Sequence, residues 1–241
     1  MYIGVKELIS NYKKPFDRVT KATKKAKANL KERGEKASGE ILQEEVELVL
    51  AEWDEKTLNG QKAHDVINKK QLTKDPSIIV SQYEKHDADS NIEIDAGINI
   101  LERNKRYIEK QIVSNHHYII GYADLVEVTR DGYINIEDYK TWDKIYRTSA
   151  FLIDNGFKVP ATYFFPPISH IQDTNYWAAC LQLSIYMYIL WTYNKKLKPG
   201  KLYIRHIPLN DKGMIIDETL IEVPYLREEV KNILKNMKLN G

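Results

Sequence analysis

Two carboxylates and a lysine are the residues of this chain best suited to chemistry, and all three lie in residues 121–140, GYADLVEVTRDGYINIEDYK. The stretch predicts two adjacent β-strands around an Asp131-Gly132 turn, with Asp124 on the first strand and Asp138 on the second. Lys140 follows Asp138 by two residues, so strand alternation places both side chains on one face. Two acids can hold a hard divalent cation, and a lysine can help to place and activate a water. The pattern is typical of phosphodiester hydrolysis, although a solvated hairpin edge would carry the same residue types.

The strand context distinguishes Asp138 and Lys140 from other acid-x-lysine triplets in the chain. Asp54-Glu55-Lys56 and Glu229-Val230-Lys231 have the same spacing, but both fall in stretches that predict helix. Only the Asp138 triplet follows a turn on a predicted strand and has a partner acid on the neighbouring strand.

Composition and charge describe an ordinary soluble protein. The 241 residues allow one large domain or two small ones, and the net charge of +2 does not by itself indicate a nucleic-acid binder. The distribution is uneven, because residues 13–33 hold nine basic residues against Asp17 and Glu32, and residues 40–55 are acidic. A solvated helix face and a phosphate-contacting arm both explain the basic run. Its candidate DNA-binding residues are Lys21, Lys24 and Lys25.

The single cysteine, Cys180, excludes an internal disulfide framework, a four-cysteine zinc site and a four-cysteine iron–sulfur cluster. Its apolar surroundings predict a buried structural thiol. The N-terminus carries no secretory signal pattern. Residues 177–193 are apolar, but they are too few for a membrane span and include Gln182, so they predict a buried core helix.

The periodicity predicts a helical first third and a sheet in the middle of the chain. The predicted helices cover residues 14–33, 39–56, 60–72 and 175–193, with the second and third separated by the turn signal Asn59-Gly60. Residues 73–91 predict a loop with a short apolar stretch at 78–80, and residues 143–169 predict irregular or partly helical structure. The predicted strands cover residues 107–114, 117–128, 133–142, 201–208 and 220–223. Pro224 is predicted to open a final helix at its first position.

Four short motifs occur in a definite order along the chain. They are G-x-x-x-H ending at His64, G-x-A-D ending at Asp124, D-Y-K-T beginning at Asp138, and Q-x-x-x-Y from Gln182 to Tyr186. The spacing of the last motif puts both of its residues on one helix face. A fifth polar residue, Glu109, lies on the strand that precedes the Asp124 strand.

These motifs resemble the PD-(D/E)XK nuclease superfamily, specifically its RecB-like branch, which includes lambda-type exonucleases and many bacteriophage nucleases. The resemblance covers residues 58–206. It implies an α/β fold with a restriction-endonuclease-like core, a central mixed β-sheet flanked by helices, and an N-terminal helical region. A single nuclease domain would span residues 1–241, with residues 1–75 contributing His64 and residues 76–241 forming the sheet core.

The resemblance also implies the metal ligands. His64, Asp124 and Asp138 would bind one or two Mg²⁺ or Mn²⁺ ions, and the Tyr139 carbonyl would complete the shell. Glu109 matches no motif residue firmly and is not included in the predicted site. Some relatives carry an iron–sulfur cluster on four cysteines, which this chain lacks.

The remaining motif residues would act in catalysis. Lys140 would orient or deprotonate the attacking water and offset charge on the phosphate. Gln182 and Tyr186 would position the substrate phosphate or Lys140.

The implied function is a metal-dependent DNA nuclease, with an exonuclease acting on DNA ends in recombination, replication or repair favoured. A structure-specific endonuclease and a catalytically silent DNA-binding or assembly protein on the same fold are the alternatives. DNA is the expected partner, together with a recombination or replication protein such as a single-strand annealing protein or a helicase, since the chain has no Walker-type loop of its own. We expect no membrane association and a cytoplasmic location, in the bacterial host cell if the protein is phage-encoded.

Overall fold

The computed structural model describes residues 1–74, 78–80, 94–145, 151–154 and 157–240. The helices are α1 (Val5–Ser10), α2 (Arg18–Glu32), α3 (Gly39–Lys74), α4 (Asn175–Tyr193) and α5 (Arg227–Asn240). The strands are β1 (Ile3–Gly4), β2 (Ile78–Val80), β3 (Lys105–Ser114), β4 (Ile119–Val128), β5 (Tyr133–Lys140), β6 (Phe151–Asp154), β7 (Phe157–Pro160), β8 (Lys198–His206) and β9 (Thr219–Val223). A 3-10 turn at Ala96–Asn99 precedes β3.

A mixed β-sheet flanked by helices forms the centre of the molecule, as the α/β prediction requires. The strand order is β2-β3-β4-β5-β8-β9, and β1 adds to β4. Strands β3, β4 and β5 form an antiparallel meander, whereas β8 runs parallel to β5. The parallel pair needs a crossover connection, and α4 lies in that connection.

Strands β4 and β5 separate partway along their length. They pair from Val128 opposite Ile134 to Leu125 opposite Glu137. Beyond that point β5 continues to pair with β8, while the start of β4 pairs with β1 instead. The separation leaves a notch in the sheet beside Asp124 and Asp138.

Helices α3 and α4 cover opposite faces of this notch. On one face, α4 is buried along most of its length against core residues such as Val126 and Ile136. On the other, Ile67 of α3 packs with Leu125 and Tyr139. The buried core helix predicted for residues 175–193 is confirmed, as is the buried thiol of Cys180. Within the described ranges, no helix combines the length and apolar character that crossing a membrane requires.

The prediction of separate helices at 39–56 and 60–72 is wrong, because α3 is one continuous helix of 36 residues. Gly60 lies within it rather than in a turn. A Cβ atom on Gly60 would lie 3.0 Å from Oγ1 of Thr141, so the glycine permits close approach of α3 to the end of β5. The Asn59-Gly60 dipeptide therefore marks the packing contact of α3 with Thr141 rather than a turn.

The opposite charges of α2 and the first half of α3 pair with each other. Lys25 lies 2.8 Å from Glu52, and Arg33 pairs with Glu45. Between the two helices, Ala22 and Ala26 pack against Val46 and Val49. The uneven charge distribution of the sequence is thus partly an intramolecular match.

Two other sequence predictions are wrong. Pro224 does not open the final helix, which begins at Arg227, because Leu226 first docks its N–H on the Ser184 hydroxyl of α4 at 3.0 Å. The stretch 143–169 contains the antiparallel pair β6–β7 rather than irregular or helical structure throughout. The Asn155-Gly156 dipeptide between these strands is typical of hairpin turns, but it lies outside the described residues. Most of the loop predicted for 73–91 also lies outside them, while the apolar stretch 78–80 forms β2 on the edge of β3.

Candidate metal and catalytic site

The notch between β4 and β5 brings the motif residues together. We call it the carboxylate cleft, a cavity of about 570 Å³. Its lining includes His64, Glu109, Asp124, Asp138, Lys140 and Gln182. Residues separated by more than 100 positions in the sequence therefore share one site.

Both oxygens of the Asp124 carboxylate have partners. Its Oδ1 lies 3.2 Å from Nδ1 of His64, and its Oδ2 accepts the backbone N–H of Tyr139. Burial and the nearby charge of Asp138 raise the pKa of Asp124, while His64 opposes the rise. Burial disfavours the imidazolium, but the hydrogen bond and charge of Asp124 outweigh this effect and raise the pKa of His64. The imidazole and the carboxylate thus favour each other's charged form.

Glu109, which the sequence analysis left out, belongs to the same group. One ligand atom from each of His64, Glu109 and Asp124 can be chosen so that all three lie within 4.8 Å of one another. Asn68, one helical turn after His64, donates to Glu109 Oε1 at 2.9 Å. Helix α3 thus supplies one member of the group and orients another.

A change of side-chain alternation on both strands explains why Glu109 and Asp124 reach the α3 side. Tyr107 and Ile112 of β3 share one core cluster, although strict alternation would send them to opposite faces. The same holds for Ala123 and Val126 of β4. Glu109 lies within the first interval and has a φ of 51°, a left-handed conformation that costs energy for a non-glycine residue. Strained backbone of this kind is common at functional sites.

Asp138 and Lys140 contact each other on β5, as strand alternation predicted. Lys140 Nζ forms an ion pair with Asp138 Oδ2, and both side chains are largely buried. Gln182 of α4 bridges them, donating from Nε2 to Asp138 Oδ1 at 3.0 Å and accepting from Lys140 Nζ at 3.4 Å. Gln182 therefore fixes the relative position of the acid and the lysine.

Tyr186 supports Gln182 from one turn further along α4. Gln182 Nε2 lies 3.2 Å from the Tyr186 hydroxyl, and burial raises the pKa of Tyr186 so that the hydroxyl stays neutral. The Tyr186 ring occupies the space that a side chain at Gly121 would fill. The glycine of the G-x-A-D motif is thus explained by the tyrosine of the Q-x-x-x-Y motif.

The donor set of the cleft fits a divalent cation. Carboxylate oxygens suit Mg²⁺ and Mn²⁺, and an imidazole adds tolerance for Mn²⁺. Among the residues that the structure describes, His64, Glu109 and Asp124 have ligand spacing, whereas Asp138 is engaged by Lys140 and Gln182. The backbone N–H of Tyr139 contacts Asp124, and the role of its carbonyl as a metal ligand stays a prediction.

The basic residues proposed for DNA contact lie away from the cleft, on α2. Lys25 pairs with Glu52, which precedes His64 by twelve residues, or about 18 Å along α3. Lys21 and Lys24 are exposed on the same helix. Their contact with DNA stays a prediction.

Comparison with known proteins does not place this chain in a family. It matches no protein-family model, and no curated protein shows a significant sequence match.

Proposed function

We propose that this protein is a metal-dependent DNA nuclease with a restriction-endonuclease-like core, similar to the RecB-like branch of the PD-(D/E)XK superfamily. One observation carries the proposal. Asp124, Asp138 and Lys140 converge at a notch in a mixed sheet, where His64 and Gln182 meet them from helices on opposite faces. A solvated hairpin edge, the alternative reading of the sequence, would leave both acids exposed, yet Asp124 is 8% and Asp138 3% exposed.

The buried acids need a compensating positive charge, and two local cations supply only part of it. Burying ionised carboxylates is costly unless they are paired or coordinate metals. Without a metal, Lys140 compensates Asp138 and a protonated His64 would compensate Asp124, whereas His64 must lose its proton to bind a cation. Glu109 adds a third carboxylate to the group. A bound Mg²⁺ or Mn²⁺ would polarise the scissile phosphate and lower the pKa of a coordinated water.

The chain's own residues have separable roles in this proposal. His64, Glu109 and Asp124 hold the cation, and Asn68 keeps Glu109 oriented. Lys140 presents an ammonium group beside Asp138, where it can position water and offset the negative charge that develops on phosphate. Gln182, supported by Tyr186, fixes Lys140 against Asp138.

The reaction proposed is hydrolysis of DNA phosphodiesters, with removal of nucleotides from ends favoured over internal cutting. End processing would place the protein in recombination, replication or repair, alongside a single-strand annealing protein or a helicase. The same chemistry serves an endonuclease, so the substrate topology has to be measured.

The decisive experiment compares end-labelled linear DNA with a closed circle, each incubated with Mg²⁺ or Mn²⁺. We expect metal-dependent loss of the linear form alone, abolished in Asp124→Ala and Lys140→Ala. Lys231→Ala is the matched control, because Lys231 ends another acid-x-lysine triplet but pairs with Glu228 on α5. Cleavage of the circle would change the assignment to an endonuclease. Failure of the folded wild-type protein to cleave either DNA would contradict the proposal.

A further inference from the structure

Trp142 lies where the carboxylate cleft meets two neighbouring cavities. It follows Lys140 by two residues, and Lys140 Nζ lies 5.7 Å from the centre of its ring. One part of the ring packs against the core, while the side chain is half-buried and lines all three cavities. His206 Nε2 lies 2.6 Å from the Trp142 carbonyl oxygen and fixes the backbone there. Trp142 thus presents a fixed, partly exposed aromatic ring beside the carboxylate cleft.

The first neighbouring cavity is a groove between α1 and α4, of about 340 Å³. Lys6, Lys13 and Lys140 line it, Lys140 being already paired with Asp138, and the described residues that line it include no carboxylate. Lys6 is exposed and lines the carboxylate cleft as well, whereas Lys13 is paired with Asp173 at 2.9 Å. We call this cavity the α1–α4 groove.

The groove owes its position to the separation of β4 and β5. Strand β1 pairs with β4 just beyond the notch, and α1 follows β1 directly. The pairing of β1 with β4, which accompanies the separation of β4 from β5, therefore places Lys6 at the mouth of the carboxylate cleft. Ala178 and Ala179 of α4 line the opposite side of the groove, where their small side chains leave room for a ligand.

The second neighbouring cavity, of about 990 Å³, has the opposite charge balance. Glu52, Glu55, Asp143 and Asp211 line it, against Lys56 and Lys144. Lys56 is already paired with Glu52 at 3.1 Å. We call this cavity the acidic cleft, and it is unfavourable for a phosphate backbone.

We propose that the α1–α4 groove delivers an unpaired DNA strand to the carboxylate cleft, with a base stacked on Trp142, and that the acidic cleft stops the strand there. The proposal rests on the proposed nuclease function and specifies its substrate as single-stranded ends. Stacking on an aromatic side chain requires a base free of its partner, and basic grooves with aromatic platforms are typical of single-strand binding. A strand that occupies the α1–α4 groove but cannot continue into the acidic cleft has its end in the carboxylate cleft, so cleavage removes nucleotides from that end.

Binding and cleavage are measured separately, so that the groove and the nuclease activity can fail independently. Fluorescence anisotropy with Ca²⁺ in place of Mg²⁺ reports the affinity for a short oligothymidylate and for a blunt duplex of equal length. The variants are Trp142→Leu, which keeps apolar packing without an aromatic face, Trp142→Phe, and Lys6→Ala. Lys144→Ala is the matched control, because Lys144 is an exposed lysine that lines the acidic cleft.

We expect Trp142→Leu to weaken binding of the single strand by about 5- to 100-fold, with much of the loss restored by Phe. Duplex affinity should change by less than about twofold. Lys6→Ala should weaken single-strand binding and lower its salt dependence, since one phosphate contact is lost. Lys144→Ala should bind as the wild type does.

Two results would overturn the groove assignment. In the first, Trp142→Leu binds the single strand normally or loses single strand and duplex equally. In the second, Lys144→Ala costs as much as Lys6→Ala. If the wild-type protein cleaves DNA while these variants give either result, the assignment of strand binding to the groove is wrong and the assignment of nuclease activity is retained. If single-strand binding depends on Trp142 but the wild-type protein cleaves no DNA, the groove assignment is retained and the nuclease assignment is wrong.

Discussion

Gly121 and Tyr186 are so close that a Cβ atom added to Gly121 would lie 2.5 Å from Cε1 of Tyr186. The same atom would lie 3.0 Å from Val5 Cγ2, so the glycine also admits α1. One small residue on β4 thus sets the distance of two helices from the notch. Tyr186 contacts Gln182, which in turn contacts Lys140 and Asp138, so a larger residue at Gly121 would also disturb these two side chains.

Gly121→Ala should therefore destabilise the protein by about 1–3 kcal/mol, the usual cost of overpacking a well-filled core. Urea denaturation measures the change. Tyr186→Leu removes the ring that causes the clash, so the double variant should lose less stability than the sum of the two single variants. Strict additivity would show that the two residues are not in contact.

Lys140→Met should lower the rate of DNA hydrolysis by about 10²- to 10⁴-fold, the range for losing a group that assists proton transfer or charge stabilisation. Single-turnover kinetics at saturating metal isolates the chemical step. Circular dichroism of the same preparations monitors folding, because the change leaves Asp138 without its ion-pair partner. Lys231→Met should retain the wild-type rate. An equal loss in both variants would argue against a specific role for Lys140.

Glu109→Gln should weaken Mn²⁺ binding by about tenfold or more, because the variant removes a carboxylate charge from the ligand group. The amide keeps the size of the side chain near Asn68. Isothermal titration calorimetry measures the affinity without relying on activity. Glu127→Gln, on β4 and facing Arg106 at 3.6 Å, is the control for loss of a strand carboxylate. Unchanged affinity in Glu109→Gln would remove Glu109 from the metal site.

Lys110 should make stability depend on alkaline pH. Its side chain is buried, with Nζ donating to the Ile98 carbonyl, and burial lowers its pKa from 10.5 to about 8. Between these values the unfolded chain binds more protons than the folded one, so the Lys110 contribution to stability rises with pH across this window. Below pH 8 the buried charge carries its full penalty, about 3 kcal/mol.

Lys110→Met removes this titration. The stability advantage of Lys110→Met over the wild type should shrink by about 3 kcal/mol as the pH rises from 7 to 11. Urea denaturation of both proteins across that range measures the difference, in which other titrating groups cancel. A pH-independent difference would show that folding does not lower the pKa of Lys110.

Sequence reasoning located the parts of the fold that local pattern determines. Helix α4 has the predicted bounds because its apolar run is continuous, and the β4–β5 hairpin follows from alternation around Asp131-Gly132. The continuity of α3 was missed, since the role of Gly60 depends on contact with Thr141, which is remote in sequence.

The same division applies to the site. The structure brings the motif residues His64, Asp124, Asp138, Lys140 and Gln182 into one cleft, and the order of the motifs along the chain was the signal that grouped them. Glu109 was missed because its approach to Asp124 depends on a change of alternation and a positive φ, which tertiary pairing sets. Lys6 and Trp142 belong to no motif, and only the folded chain places them beside the cleft.

The length of α3 has a mechanical consequence. At 36 residues it is about 54 Å long, and its first half packs with α2 while its second half carries His64 and Asn68. In a rigid helix, an axial shift at the α2 end would be carried to His64. Binding of a partner to that end would therefore change the distance between His64 and Asp124, two of the residues proposed to hold a metal.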